Sequence, residues 1–283
     1  MTAREPEDDS LRCGAGTREG GLQVIQSLWI GGRLSALERL SIQSFVDHGH
    51  TFRLYTYGAP PDLPAGAEVR DGREILPESE IFQYATRPSF AAFSNFFRYK
   101  LLLERGGFWV DTDLVCLRPF AFPPRHIFAS ESVNRRDRPG VSRAVASCAI
   151  NAPRGSLAMA AAWRTCLGKS RDRLEWGEVG PALVEAVVAA EGLEHCVEPP
   201  ERFCPVSYRD WRDLIDAEPP VLPPTTYAVH FWNEMWRLAG QDKDASYPPT
   251  SLYETLKRRH PARTDRRNAA ATSHAAGSPA GTA

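Results

Sequence analysis

Apolar positions change their spacing along the first part of the chain. Residues 22–30 (LQVIQSLWI) are mostly apolar, as in a buried strand, and Gly31 and Gly32 follow them. Residues 35–49 place leucine, isoleucine and phenylalanine at helical spacing before a glycine, and residues 51–58 alternate like a second strand. This order of strand, helix and strand predicts a βαβ unit, and hence an α/β fold.

The same kinds of pattern continue through the rest of the chain. Residues 62–77 are rich in turn-forming residues, whereas 89–105 predict a strongly apolar helix that Gly106 and Gly107 would end in a left-handed cap. A short strand of three bulky residues, 108–110, follows directly. Further strands are expected at 126–132, 146–153 and 225–232, and further helices at 157–169, 180–192 and 251–260.

The two ends of the chain differ from this middle part. Residues 1–20 are rich in charge and glycine, and residues 262–283 lack large apolar side chains, so both are expected to be disordered. The expected folded unit is one domain over 21–261. The N-terminus is polar rather than a signal peptide, and no apolar run reaches the roughly 18–20 residues of a membrane span, so we expect a cytoplasmic protein.

Net charge and cysteine content bear on whether the protein binds nucleic acid and on the state of its thiols. The formal net charge of -1 gives no basic excess that would neutralise phosphates, so no nucleic acid is expected as a partner. The six cysteines include no C-x-x-C pair and no zinc spacing, which indicates reduced and mostly buried thiols.

Two carboxylates stand at the end of the short apolar strand. Asp111 and Asp113 are two residues apart, so in an extended chain they point to the same side. The end of a strand is where an α/β sheet usually opens its ligand crevice. Adjacent carboxylates repel each other unless a cation lies between them or one of them takes a proton, and hard oxygen ligands suit Mn²⁺ or Mg²⁺. The pair therefore predicts a divalent metal site that leaves positions for a phosphate, with a structural or surface role for the two aspartates as the alternative.

The helix before this strand carries two polar residues on one face. Asn95 and Arg98 stand at i and i+3, and the helix turns at its glycine pair directly into the aspartate strand. Arg98 is therefore expected near the aspartates, where it would hold them or bind a phosphate or sugar oxygen. The alternative is an ordinary surface charge for Arg98 and a local polar contact for Asn95.

The stretch SNFFRYKLLLERGGFWVDTDLV (94–115) resembles the DXD region of GT-A-type glycosyltransferases. The likeness is to those grouped with bacterial capsule and lipopolysaccharide sugar transferases, yeast initiating mannosyltransferases and clostridial toxin glucosyltransferases. The stretch SLWIGG (27–32) resembles the first strand of the same family. The resemblance implies a single GT-A domain, in which helices flank a mixed, mostly parallel central sheet with a Rossmann-like nucleotide-binding half.

The resemblance also implies roles for the matched positions. Trp29 would lie against the uracil of a UDP-sugar, Asp111 would contact sugar or ribose hydroxyls, and Asp113 would bind the metal directly. The family often has aspartate where this chain has Asn95, which leaves the donor sugar open. The positions expected around ribose, sugar and diphosphate are Ser94, Asn95 and Arg98.

A third stretch, YAVHFWNEMW (227–236), follows the last predicted strand. His230 and Asn233 are three residues apart there, and either is expected to complete the metal shell, although a packed histidine is the common alternative. Trp236 is interpreted as part of a lid over the nucleotide sugar or as a core residue. The family places a similar segment over the diphosphate.

Three weaker features concern the acceptor and the membrane. Glu178, in WGEVGP before a helix, is an acceptor-side candidate, with an ordinary acidic helix start as the alternative. Asn151, after the strand ASCAIN, is a comparable candidate. The basic run KRRH (257–260) would contact anionic lipid heads, with a solvated helix end as the alternative.

These observations predict a metal-dependent glycosyltransferase, with Asp111, Asp113 and Arg98 as its catalytic residues. It would move a hexose from a UDP-sugar to a hydroxyl of a glycan or glycolipid with retention, in surface polysaccharide or lipopolysaccharide synthesis at the inner face of the membrane. One alternative is a phosphatase of the haloacid dehalogenase type, because VDTDLV also fits its pattern with Asp111 as nucleophile. Another is a non-catalytic relative that only binds a nucleotide sugar.

Overall fold

The computed structural model describes residues 21–58, 60, 62–123, 125–133 and 143–263. The predicted N-terminal segment 1–20 and the tail from 264 onwards lie outside the described residues. The domain is predicted to end at 261, and the described residues continue to 263. Arg263 forms an ion pair with Asp47 at 2.7 Å, and its carbonyl oxygen accepts the backbone N–H of Ala65 at 2.5 Å.

Strands and helices alternate through most of the described chain, as the sequence predicts. Within the described residues they are β1 Ile25–Trp29, α1 Ala36–Asp47, β2 Phe52–Thr56, β3 Ala67–Asp71, α2 Ala91–Arg105, β4 Gly107–Val110, β5 Leu114–Cys116, β6 Ile127–Ser132, β7 Arg143–Ala152, α3 Leu157–Leu167, α4 Pro181–Ala190, β8 Ala228–His230, α5 Asn233–Leu238 and α6 Leu252–Arg259.

The central sheet has six strands in the order β3-β2-β1-β4-β7-β6. The first four are parallel, whereas β7 runs antiparallel to both β4 and β6. Helices pack on this sheet, so the prediction of a mixed, mostly parallel sheet flanked by helices is confirmed. Strand order reverses between β1 and β4, where an α/β sheet opens a crevice at the carboxyl ends of its strands.

Helix α2 delivers the chain to β4 through the predicted glycine pair. Gly106 and Gly107 have φ of 67° and 95°, values that strain any other residue. A Cβ on Gly106 would lie 2.6 Å from the backbone nitrogen of Arg154. The turn between helix and strand can therefore be this tight only with glycine.

Helix α1 fixes the strand that follows the aspartates. Its N-terminus has a capping box between Ser35 and Glu38. Further along, the Ser41 hydroxyl donates to the Leu114 carbonyl at 2.7 Å, and the Cys116 N–H donates to the Ser44 hydroxyl at 2.8 Å. These buried bonds anchor β5, and β5 pairs antiparallel with β8 in a second, two-stranded sheet.

Four elements differ from the sequence prediction. The turn-rich region contains the edge strand β3, whose side chains are half-exposed or exposed and therefore lack an apolar pattern. Strand β5 has only three residues and helix α5 only six, too few for a periodic pattern. The last predicted strand, 225–232, shortens to the three residues of β8.

Candidate active site

Asp111 and Asp113 converge across a tight turn at the carboxyl end of β4. The Leu114 N–H donates to the Asp111 carbonyl at 3.1 Å, so the chain reverses here and is not extended as the sequence prediction assumed. The carboxylates nonetheless meet. One ligand atom each from Asp111, Asp113 and His230 lies within 4.8 Å of the others.

Asp111 is held through one of its two carboxylate oxygens. Arg98 Nη2 donates to Asp111 Oδ1 at 2.7 Å, and the indole N–H of Trp109 donates to the same oxygen at 2.9 Å. The Arg98 guanidinium is buried, lies 4.8 Å from the centre of the Trp109 ring and also donates to the Ser147 carbonyl. Arg98 is thus not a surface charge. Within the described part of the chain no donor reaches Oδ2 of Asp111.

Asp113 is held from the opposite side of the site. Its Oδ2 lies 3.2 Å from Nε2 of His230 and accepts the backbone N–H of Asn233 at 2.7 Å. Its carbonyl accepts the backbone N–H of Phe231 at 2.9 Å. The pairing of Leu114 with His230 in the small sheet sets this register.

The charges of the site are coupled. Burial raises the pKa of Asp111, the Asp113 carboxylate raises it further, and Arg98 opposes both. Burial also acts to raise the pKa of Asp113, but His230 and the Asn233 N–H lower it overall. Burial acts to lower the pKa of His230, but Asp113 and Cys148 raise it well above its usual value. Two like charges at this distance favour a bound cation.

Backbone strain accompanies the histidine segment. Trp232 has φ 56° and ψ 52°, and it is the one residue other than glycine with positive φ among those described. Its ring lies 4.1 Å from the His230 ring, and its indole N–H donates to the Val206 carbonyl at 2.9 Å. This conformation turns the chain from β8 into α5, so that both His230 and Asn233 reach Asp113.

The donor set fits a hard divalent cation. Two carboxylates and an imidazole converge, and Asp111 offers an oxygen that no described donor occupies. Asn233, the other predicted ligand, does not direct its side-chain oxygen at the carboxylates. Its side-chain oxygen accepts from Lys243 Nζ at 3.0 Å, and only its backbone N–H faces Asp113. In this arrangement the Asn233 backbone orients the Asp113 carboxylate, and the Asn233 side-chain oxygen binds Lys243.

The predicted nucleotide-side residues line the same edge of the sheet. Trp29 ends β1, and extending the pairing of Ile25 with Phe108 sets Leu28 opposite Asp111. Trp29 is therefore one residue beyond Asp111 on the neighbouring parallel strand. Its half-buried indole donates its N–H to the Gly32 carbonyl at 3.2 Å.

Helix α2 contributes the remaining donor-side positions. Ser94 is half-buried and Asn95 is buried. A Cβ on Gly180 would lie 3.1 Å from Nδ2 of Asn95, so the start of α4 packs against this amide. Among the described residues the Asn95 side chain has no hydrogen-bond partner. A ligand hydroxyl could therefore bind it.

Two predicted site residues lie elsewhere. Trp236 is fully buried, its indole N–H donates to the Phe231 carbonyl at 2.7 Å, and its ring packs against Trp211 and Tyr253. It is a core residue here, not a lid over the nucleotide. Asn151 is buried opposite Phe108, at the end of β4 away from the aspartates.

The side chain of Asn151 donates to the Arg125 carbonyl at 2.5 Å. A buried amide bonded in this way cannot meet an acceptor sugar. Glu178 is half-buried and engaged locally, in an ion pair with Lys169 at 2.6 Å and in a bond from the Glu175 N–H at 3.0 Å. This is the ordinary helix-start arrangement that the sequence left as the alternative.

The basic run 257–260 does not form one exposed patch. Lys257 pairs with Glu254 at 2.7 Å, and His260 is buried against Asp47 at 2.9 Å. Lipid contact by the whole run is therefore not supported. Within the described residues no helix is both long and apolar enough to cross a membrane.

Sequence reasoning missed Trp109 and Cys148 as neighbours of the site. Trp109 looked like one more apolar strand residue, yet its N–H binds the Asp111 carboxylate. Cys148 accepts the backbone N–H of Asp111 on its carbonyl at 2.8 Å. The five cysteines within the described residues are all buried: Cys116, Cys148, Cys166, Cys196 and Cys204.

Comparison with known proteins places two family matches on this chain. Residues 62–134 match the family described as glycosyltransferase sugar-binding region containing DXD motif. Residues 169–267 match the family described as alpha 1,4-glycosyltransferase conserved region. Together the two segments cover more than half of the chain.

A curated relative and solved structures are similar as well. Human alpha-1,4-N-acetylglucosaminyltransferase is 24% identical over 222 residues, which cover 69% of this chain and 59% of that protein's length. The PaToxG glycosyltransferase is 14% identical with a TM-score of 0.46, over 62% of this chain and 73% of that one. The UDP-bound glycosyltransferase domain from the YGT toxin is 11% identical with a TM-score of 0.35, over 91% and 90%.

The two family matches divide the site between them. The first contains Asp111 and Asp113, and the second contains His230 and Asn233. The structure joins these segments through Asp113, which contacts both residues of the second. Both family models that match this chain describe glycosyltransferases, and one of them is the DXD-motif family, so the chain is similar to DXD-motif glycosyltransferases over both segments.

Proposed function

We propose that this glycosyltransferase is metal-dependent and moves a hexose or N-acetylhexosamine from a UDP-sugar to a hydroxyl of a glycan or glycolipid. The observation that carries the proposal is the convergence of Asp111, Asp113 and His230 within 4.8 Å, beside a buried Arg98. The reversal of strand order between β1 and β4 lies at the same edge, where an α/β sheet usually opens a crevice that can bind a nucleotide.

Each donor-side residue has a distinct task. Trp29 presents an aromatic face to the uracil at the end of β1. Asn95 offers its unpartnered amide to a sugar or ribose hydroxyl. Arg98 holds Asp111 by Oδ1, which leaves Oδ2 available to a metal ion. Because the charge of Arg98 is already paired with Asp111, its main task is to position that carboxylate rather than to bind the diphosphate.

Asp111, Asp113 and His230 would hold Mn²⁺ or Mg²⁺, which would neutralise the charge that develops on the departing UDP. The protein's own contribution is to fix these three ligands from three chain segments. Trp109 and Arg98 orient Asp111, and the Asn233 N–H orients Asp113. Such prearranged polar groups usually supply the largest share of catalysis at charged transition states.

The acceptor is proposed to bind beside an exposed aromatic ring. Trp176 is 43% exposed, with Arg87 4.4 Å from the centre of its ring and Tyr84 at 5.2 Å between ring centres. Arg87 also pairs at 3.3 Å with Glu234, the residue after Asn233. This contact links the aromatic group to the metal segment, so a sugar ring stacked on Trp176 would lie at the mouth of the site.

Similarity to known glycosyltransferases supports a proposal for the product and for the biosynthetic process. The family description and the name of the human relative both refer to an α-1,4 linkage, which supports an α-linked product and retention from an α-linked donor. The proposed setting is surface polysaccharide or lipopolysaccharide synthesis at the inner face of the membrane. Its support is the resemblance of residues 94–115 to bacterial sugar transferases.

The test measures UDP release from a panel of UDP- and GDP-sugars while Mn²⁺ is titrated, with and without glycan acceptors. We expect release from one UDP-sugar, dependent on metal and accelerated by acceptor. Asp113→Ala should abolish it, whereas the exposed-carboxylate control Asp172→Ala should not. If the protein instead releases inorganic phosphate from phosphate esters and releases no nucleotide from any donor, the result would support the phosphatase alternative.

A further inference from the structure

Two buried thiols lie close to the His230 ring. Cys148 Sγ and Cys204 Sγ are 3.5 Å apart, and both lie within 4.8 Å of a ring nitrogen of His230. Cys148 belongs to β7, Cys204 follows the helical turn Pro200–Arg202, and His230 ends β8. Because the three residues come from separate parts of the chain, no spacing motif reveals them.

The two ring nitrogens of His230 have different surroundings. Nε2 faces Asp113 Oδ2 at 3.2 Å, whereas Nδ1 is buried and has no hydrogen-bond partner of ordinary geometry among the residues that the structure describes. The residue as a whole is 8% exposed. A histidine that binds zinc through one nitrogen commonly gives its other N–H to a carboxylate, and the His230–Asp113 pair has this arrangement. Nδ1 is then the nitrogen left for a metal.

We propose that Cys148, Cys204 and Nδ1 of His230 bind a soft divalent metal such as Zn²⁺. Two thiolates and an imidazole suit zinc, whereas hard cations such as Mg²⁺ prefer oxygen ligands. Binding would release the two thiol protons to solvent and leave the fourth coordination position to water or substrate. The three residues form a second metal site next to the aspartates, which shares one histidine with them.

Sharing His230 has a consequence for the proposed function. The imidazole uses Nε2 as a ligand of the donor-site cation, or it donates Nε2–H to Asp113 while Nδ1 binds zinc. Zinc in the thiol site therefore withdraws His230 from the donor site. This consequence depends on the proposed function, whereas the zinc site itself does not.

The first test uses the full-length wild-type protein, reduced and stripped with a chelator. We expect it to take up about one Zn²⁺ per chain. X-ray absorption of the zinc-loaded protein should show sulfur ligands at about 2.3 Å and nitrogen at about 2.0 Å. A shell of oxygen and nitrogen alone would overturn the proposal, as would a Cys148–Cys204 disulfide that forms in place of metal binding.

The second test assigns the ligands. Co²⁺ should produce a thiolate-to-metal absorption band that Zn²⁺ displaces. Cys148→Ala and Cys204→Ala should each remove the band, and Asp113→Asn should weaken Zn²⁺ binding about 10-fold. Cys166→Ala, a buried thiol outside the cluster, should keep it. Loss of the band in the control as well, or its persistence in both cluster variants, would contradict the assignment.

UDP release measured on the same samples separates the two proposals. A thiolate band without UDP release from any donor would leave the zinc site standing and reject the donor chemistry. UDP release without a thiolate band would do the reverse. If both hold, Zn²⁺ should inhibit Mn²⁺-supported release in wild type, and Cys204→Ala should relieve this inhibition.

Discussion

Arg98 Nη2 lies 2.7 Å from Asp111 Oδ1 in an ion pair whose arginine side chain is only 4% exposed. The same guanidinium stacks on Trp109, which donates to the same carboxylate oxygen. One oxygen of Asp111 thus accepts from both Arg98 and Trp109, and no donor among the described residues reaches the other oxygen. The pair therefore fixes the direction of a ligand more than it adds charge for substrate.

This relationship predicts distinct results for two substitutions of Arg98. Arg98→Ala leaves a largely buried carboxylate without its partner, so the free energy of unfolding should fall by about 3 kcal/mol. Arg98→Lys keeps the charge but not the fork that reaches both Asp111 and the Ser147 carbonyl. It should raise the Mn²⁺ concentration for half-maximal UDP release about 10-fold.

Chemical unfolding and metal titration measure these two quantities. Arg105→Ala is the matched control, because Arg105 is on the same helix with a side chain 52% exposed and should change stability by no more than about 0.5 kcal/mol. Equal losses in the control would show that the helix, and not the buried pair, is responsible.

Divalent metal should stabilise the folded protein. The carboxylates of Asp111 and Asp113 repel each other, and a bound cation removes this repulsion. At a Mn²⁺ concentration about 100 times the dissociation constant, the stabilisation should be about 2.7 kcal/mol. Thermal unfolding across a Mn²⁺ series checks it. An equal rise in melting temperature in Asp113→Ala would show that the ion binds elsewhere.

Trp29 and Trp176 should affect different substrates. Trp29→Ala removes the face proposed for the uracil, so UDP affinity should fall by about 1–3 kcal/mol, as for other stacked bases. Trp176→Ala should leave UDP binding unchanged and raise KM for the acceptor. Calorimetry with UDP and acceptor kinetics measure these effects. If both variants lose UDP affinity equally, the proposed separation of donor and acceptor sides fails.

Trp236 should behave as a core residue. Trp236→Ala removes a fully buried ring, so the free energy of unfolding should fall by about 3–5 kcal/mol. Below the unfolding temperature, KM for the UDP-sugar should stay near its wild-type value. Denaturant unfolding measures the change in stability, and steady-state kinetics with the UDP-sugar measure its KM. A large rise in KM with unchanged stability would restore the lid interpretation.

The sequence predicted the part of the site that is continuous in the chain. Arg98 and Asp111 lie on one helix–turn–strand unit, and the helical spacing and Gly106–Gly107 were enough to bring them together. The opening βαβ unit was likewise predicted, because a buried strand, a helix and an alternating strand follow one another with distinct periods.

The remainder depends on contacts that no local pattern records. Asn233 was expected to offer its side chain but contacts Asp113 through its backbone N–H, because Trp232 turns the chain with a positive φ. The burial of Trp236 and Asn151 depends on the packing of distant segments, which no local sequence pattern indicates. Cys148 lies in a strand and Cys204 in a loop, and their contact follows no spacing rule.

The small sheet of β5 and β8 has a consequence for biosynthesis. Asp113 and the residue that orients it, Asn233, are 120 positions apart, and β8 emerges from the ribosome long after β5. A nascent chain that has completed its parallel strands still lacks His230. The proposed metal ligands therefore meet only after His230 has been synthesised, and a nascent chain that has not reached β8 carries the DXD turn without this histidine.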